Sequence, residues 1–99
     1  MIIEVADIRV RPGAGPEFGG VVERARTFVE SSPGCLGVEV LGGIESPERF
    51  VLVIRWATLE DHTEGFRASP AFADWRAAIG GYFASDPLVE HFTVVAAPR

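Results

Sequence analysis

Phe50-Val51-Leu52-Val53-Ile54-Arg55-Trp56 is the most strand-like stretch of the chain, and its two sides decide the fold. Side chains alternate along a strand, so Phe50, Leu52, Ile54 and Trp56 point one way and Val51 and Val53 the other. A half-solvated antiparallel strand alternates apolar with polar residues, and this one is apolar on both sides. Residues 2–10 repeat the pattern, with Ile3 and Val5 opposed to Ala6, Ile8 and Val10. Helices can cover one side of such a sheet. The other side needs a second cover, and a second copy of the chain is the simplest one.

Outward from these strands the chain punctuates itself. Arg11-Pro12-Gly13 ends the first strand, because Pro donates nothing to a ladder and Gly turns easily. Pro16 and Glu17 suit the first turn of a helix whose apolar stripe is Phe18, Val21, Val22, Ala25, Phe28 and Val29. Ser31-Ser32-Pro33-Gly34 stops it, and residues 36–41 read as a second strand. Gly42-Gly43 and Ser46-Pro47 lead on to the third. After it, Thr58 with Asp61 three residues on has the form of a capping box, and Leu59, His62 and Phe66 share one helical face. Ser69-Pro70 restarts the helix, Phe72, Trp75 and Ile79 continue the inward stripe, and Gly80-Gly81 ends it. Residues 89–95 form the last strand. Residues 2–41 and 50–95 therefore each read β-α-β. Right-handed crossovers place both helices on one side of a four-stranded antiparallel sheet, an α+β ferredoxin-like β-α-β-β-α-β arrangement. The first and third strands are then neighbours, and Asp7 is expected to pair with Arg55 on the dimer face, where Arg9 also lies.

Ninety-nine residues make one domain, 1–99. A chain of this size buries only about 64% of its unfolded surface. Yet 47% of its residues are hydrophobic, an excess that fits an interface. Nine basic and fourteen acidic residues leave a net charge of −5 and no basic patch, which argues against nucleic acid and anionic membrane surfaces as partners. Cys35 is the only cysteine, so no internal disulfide forms and a reducing compartment is expected. The first residues lack the basic and long apolar segments of a signal peptide, and no apolar run approaches the roughly 20 residues of a membrane span. A cytoplasmic protein is the expectation.

His62 and His91 are the only histidines and the only side chains that ordinarily titrate near neutrality. If both project between helices and sheet, they form a proton donor–acceptor pair or polarise a substrate hydroxyl. Each can equally be a hydrogen-bonded structural histidine, and parity leaves open which side of the sheet His91 faces. Trp56, Phe66, Phe72, Trp75 and Tyr82 can line a cavity for a flat aromatic ligand, or simply fill the core. Arg67, beside the inward Phe66, can orient an anionic or phenolic oxygen, or stay solvated. A zinc site needs three protein ligands, which Cys35 and the histidines do not offer at any matching spacing. Gly13-Ala14-Gly15 lacks the rest of a dinucleotide fingerprint and is a turn. The third strand also lacks the glycines and exposed aromatics of an RNA-binding sheet.

Four segments carry a family resemblance. They are Pro33-Gly34-Cys35-Leu36-Gly37-Val38-Glu39-Val40, Trp56-Ala57-Thr58-Leu59-Glu60, the run from Phe66 to Trp75, and Glu90-His91-Phe92. Together they resemble the antibiotic biosynthesis monooxygenase family, the dimeric α+β barrels. The resemblance implies a homodimer through the sheet face. It also implies a monooxygenase that needs no organic cofactor or metal and acts on a hydroxylated aromatic, quinol-like or polyketide-like. In such chemistry the protein helps deprotonate the substrate, and the substrate reduces dioxygen. A non-catalytic dimeric module binding a small apolar or aromatic ligand is the alternative on the same fold. Haem-degrading members carry an Asn on the first strand, a Trp in the second helix and an axial His. The matching positions here are Ala6, Gly65 and Asp74 or Trp75, so haem degradation is not expected.

Overall fold

The computed structural model describes residues Met1–Arg99. Four strands, β1 (Ile2–Arg9), β2 (Cys35–Gly42), β3 (Arg49–Trp56) and β4 (Leu88–Phe92), form one sheet of order β2-β3-β1-β4. All neighbouring pairs are antiparallel. Between β1 and β2 run α1 (Gly15–Ala25) and the short α2 (Thr27–Glu30). Between β3 and β4 run a π-helical segment (Asp61–Phe66), α3 (Pro70–Ile79) and a 3₁₀ turn (Gly80–Tyr82). This is the expected ferredoxin-like α+β topology.

Strand parity builds the core. Ala6, Ile8 and Val10 on the β1 segment and Phe50, Leu52, Ile54 and Trp56 on β3 are all buried, packed against Phe18, Val22, Ala25 and Val29 from α1 and α2 and Phe66, Trp75 and Ile79 from the second half. Each of these large side chains stabilises the fold by roughly 1.5–3 kcal/mol on burial. Both sets of helices thus lie on one face. On the opposite face Ile3, Val5, Val51 and Val53 are only half-buried, and Leu41, Leu88 and Phe92 are exposed. Nothing within the chain covers them.

The helix signals act where the residues place them. The Thr58 hydroxyl accepts from the Asp61 N–H at 3.2 Å while the Asp61 carboxylate accepts from the Thr58 N–H at 3.1 Å, so the capping box closes. Ser69 caps α3, its hydroxyl accepting from the Phe72 N–H. Gly34 turns into β2 with φ +85°, and a methyl there would run into the Asp61 side chain, so both backbone conformation and space demand glycine.

Four expectations need correction. The first helix is interrupted at Arg26, where the N–H of Val29 returns to the Arg26 carbonyl; the buried stripe nevertheless continues to Val29. Leu59 does not join the inward face with His62 and Phe66, because the turn that follows is widened to a π-helix, and Leu59 is exposed. β4 ends at Phe92 instead of residue 95, because Phe92 already pairs with Ile3 and only Ile2 of β1 lies beyond it, too little strand to extend the ladder to residue 95. Asp7 pairs with Arg49, not Arg55: Arg49 Nε and Nη2 donate to its two carboxylate oxygens at 3.2 and 2.8 Å, whereas Arg55 lies opposite Ile3, at the other end of β1.

Candidate functional site

Glu4 has the same parity on β1 as Ala6 and Ile8, so it too points at the helices, and only 6% of its surface is exposed. Its neighbours in register are Ile54 on β3 and His91 on β4. Directly paired residues in an antiparallel ladder share a face, so His91 also points to the helical side. That answers the question strand parity alone left open.

The π-helical segment delivers the third group. Arg67 N–H reaches the His62 carbonyl at 3.1 Å, five residues back, which is the wide turn that defines the segment. Such turns are often found at functional sites. Here it lays the His62 ring flat on Trp56, with centroids 5.4 Å apart and planes 19° from parallel. Trp56 Nε1–H donates to Glu4 Oε1 at 2.9 Å, and His62 Nε2 stands 3.3 Å from the same oxygen. On its far side His62 Nδ1 lies 2.8 Å from His91 Nε2. A proton on His62 Nε2 faces Glu4, and Nδ1 then accepts from the Nε2–H of His91. The four groups form one line, Trp56–Glu4–His62–His91, from the core to the exposed His91.

Burial sets the charge states. It raises the Glu4 carboxyl above the ordinary carboxylate range, against the Trp56 N–H and the Arg67 charge, which favour the anion. It lowers His62 to about 4, and the Coulombic influence of Arg67 and His91 pushes the same way. At neutral pH His62 is therefore an uncharged imidazole, with Nδ1 bonded to His91 and Nε2 beside Glu4.

These groups stand at one end of a cavity of about 440 Å³ between the sheet and α3. Glu4, Ala6, Ile8, Leu52 and Ile54 form its sheet wall; His62, Phe66, Arg67, Phe72, Trp75, Arg76 and Ile79 answer from the helical side. Phe83, Asp86 and Pro87–Val89 close the remaining edge. The size and the apolar walls with a few polar groups are those of a small-molecule site. Phe66 and Phe72 meet edge to face at 5.5 Å.

Of the residues singled out from sequence, His62, Phe66, Arg67, Phe72 and Trp75 line this cavity. His91 stands behind His62 and not on the wall. Trp56 lies beneath His62 and is wholly buried. Tyr82 is on another side of the core, packed on Phe18 and donating its hydroxyl hydrogen to Glu17 at 3.1 Å. Glu4 was missed. Its signal was present in the alternation of β1, where a carboxylate occupies an inward position. No group of three or more His, Cys, Asp or Glu side chains is disposed to hold a metal ion. No helix is long and apolar enough to cross a membrane.

Comparison with known proteins places the chain among relatives. The family model for antibiotic biosynthesis monooxygenases matches residues 1–78, which takes in β1 through most of α3 and leaves β4 with His91 outside. The uncharacterized protein YczJ of Bacillus subtilis is 32% identical over 92 residues, 93% of this chain and 97% of that one. A haem oxygenase (mycobilin-producing) of Mycobacterium tuberculosis is 31% identical over 72 residues, 73% of this chain and 68% of that one. A crystal structure from Bordetella bronchiseptica, of a protein carrying the same family name, superposes with a TM-score of 0.91 at 39% identity, over 96% of this chain and 97% of that one.

Proposed function

The chain belongs to the antibiotic biosynthesis monooxygenase family, and from that premise we propose that it is a monooxygenase acting, without organic cofactor or metal, on a hydroxylated aromatic held in the cavity. The observation that carries this reading is the meeting of an apolar cavity with the Glu4–His62–His91 line, whose Glu4 and His62 are buried. The net reaction is SH2 + O2 → SO + H2O. One oxygen atom enters the product, the other leaves as water with two substrate hydrogens, and all four electrons come from the substrate. The protein's part is to orient the ring, exclude water and take a proton, since an aromatic anion gives up electrons to dioxygen more readily than the neutral molecule.

The Glu4–His62–His91 line, which contains both histidines, is the proposed proton-handling unit. Phe66, Phe72 and Trp75 are the proposed ring contacts, and Arg67 the group that favours an anionic substrate oxygen. Trp56 acts, in this reading, from beneath His62, and Tyr82, packed on Phe18 away from the cavity, has no part in it. The uncovered sheet face with Ile3, Val5, Val51 and Val53 is proposed to close against a second copy of the chain in the cytoplasm. Haem degradation is outside the proposal. Ala6, Gly65 and the Asp74–Trp75 position lack the residue types that the resemblance requires.

Oxygen uptake by purified, metal-free protein against a panel of quinols, anthrones and other phenolics tests the reading. The expected result is saturable uptake of one dioxygen per substrate. Tight binding across the panel with no uptake would leave the non-catalytic binding module of the same fold.

A further inference from the structure

We propose that Glu4 is the catalytic base, accepting the substrate's proton on Oε2, and that His62 and His91 are positioning residues that hold it. This deepens the oxygenase reading and rests on it for the reaction, though not for the contact. Oε1 carries both protein contacts, from Trp56 Nε1–H and from His62 Nε2, while Oε2 has no hydrogen-bond partner in the protein. No buried side-chain oxygen or nitrogen anywhere in the chain lacks a partner. Oε2 is therefore not sealed in the core but opens onto the cavity that Glu4 lines. With its proton on Nε2 beside Glu4, His62 offers a substrate no lone pair, because Nδ1 is held by His91. His91 does not reach the wall.

The step balances within the site. The substrate O–H bond breaks, its proton forms an O–H bond on Glu4 Oε2, and the electron pair stays on the substrate as the anion that reduces dioxygen. Dioxygen adds to a ring carbon of that anion. When the peroxide collapses its O–O bond breaks, the C–H bond at the oxygenated carbon gives one hydrogen to the departing oxygen and Glu4 returns the other. Water leaves, and the carbon keeps one oxygen as C=O. The carboxylate is then restored. The charged and titratable groups around Glu4 are His62 from the π-helical segment, His91 from β4 and Arg67, with Arg76 and Asp86 elsewhere on the cavity wall and Cys35 within reach of its field. Desolvation makes the Glu4 carboxylate a stronger base than an exposed one, and the Trp56 and Arg67 contacts keep it ionisable.

Two measurements on the full chain test this. The first needs no turnover: binding of 2-naphthol against its methyl ether, which cannot donate a hydrogen bond. Wild type should prefer the naphthol by roughly 10- to 100-fold, the range of a hydrogen bond to a charged acceptor. In Glu4→Gln, whose amide oxygen can still accept from Trp56, that preference should collapse, and Glu4→Asp should retain part of it. An unchanged preference in Glu4→Gln, or no preference in wild type, overturns the assignment. The second measurement is kcat with a turned-over phenolic. Glu4→Gln should lose about 10²–10⁴-fold and the acid limb of the pH–rate profile. If wild type turns over and Glu4→Gln matches it, Glu4 is not the base and the oxygenase reading stands. If the binding preference depends on Glu4 but no phenolic consumes oxygen, the contact stands and the oxygenase reading falls.

Discussion

His62 Nδ1 stands 2.8 Å from His91 Nε2, joining the π-helical segment to the edge strand β4 across 29 positions of sequence. His62 is buried and His91 exposed, so the contact is the outer end of the Glu4 line. A misplaced catalytic group can cost up to roughly 10²-fold in rate. His91→Ala should therefore lower kcat by about 10- to 100-fold and leave KM and the circular dichroism spectrum nearly unchanged. His91→Asn, which keeps an N–H donor, should recover part of the loss. Full activity in His91→Ala would make the pair structural only.

Acid stability follows from His62. Its folded pKa of about 4 lies below the unfolded value of 6.5, so the unfolded chain binds the extra proton first. The contribution is complete above pH 6.5 and is lost as pH falls through 4, a total of about 3 kcal/mol by linkage. Glu4 works oppositely: its folded pKa is raised, so its neutral form favours the fold as pH falls. Urea unfolding from pH 7.5 to 4 should show declining stability in wild type and a steeper decline in Glu4→Gln. A flat profile in Glu4→Gln would show that His62 is not held neutral by burial.

The uncovered sheet face predicts self-association. Ile3, Val5, Val51 and Val53 sit at its centre, only half-buried within one chain. Equilibrium sedimentation at micromolar concentration should give twice the 10.7 kDa chain mass. Val53→Asp places a charge in the middle of the face and should yield folded monomer, since a buried unpaired charge is costly. A stable wild-type monomer would refute the dimer.

Haem offers a further test, because one relative degrades it. Purified protein should be colourless. Haem titration followed by a reductant should give neither stoichiometric binding nor spectral conversion. Either result would show that Ala6, Gly65 and the Asp74–Trp75 position do not decide the matter.

The sequence by itself determined the elements and their faces. Even-numbered positions of β3, the stripe from Phe18 to Val29, the Thr58–Asp61 box and the Ser69–Pro70 restart are local patterns, set by the periods of strand and helix. They sufficed to put His62, Phe66, Phe72 and Trp75 opposite Ala6, Ile8 and Ile54 around one cavity. What local periodicity cannot carry is the identity of partners, because that depends on register between distant segments. Whether β4 turns His91 inward was decided only by its pairing with Glu4. Asp7 found Arg49 and not Arg55 because the β1–β3 ladder sets those residues at opposite ends of β1. Strand parity places Glu4 on the inward side of β1 with Ala6 and Ile8 but names no partner for it. Only the tertiary structure buries it, because its partners are Trp56, 52 positions on, and a histidine from a helical turn widened by one residue.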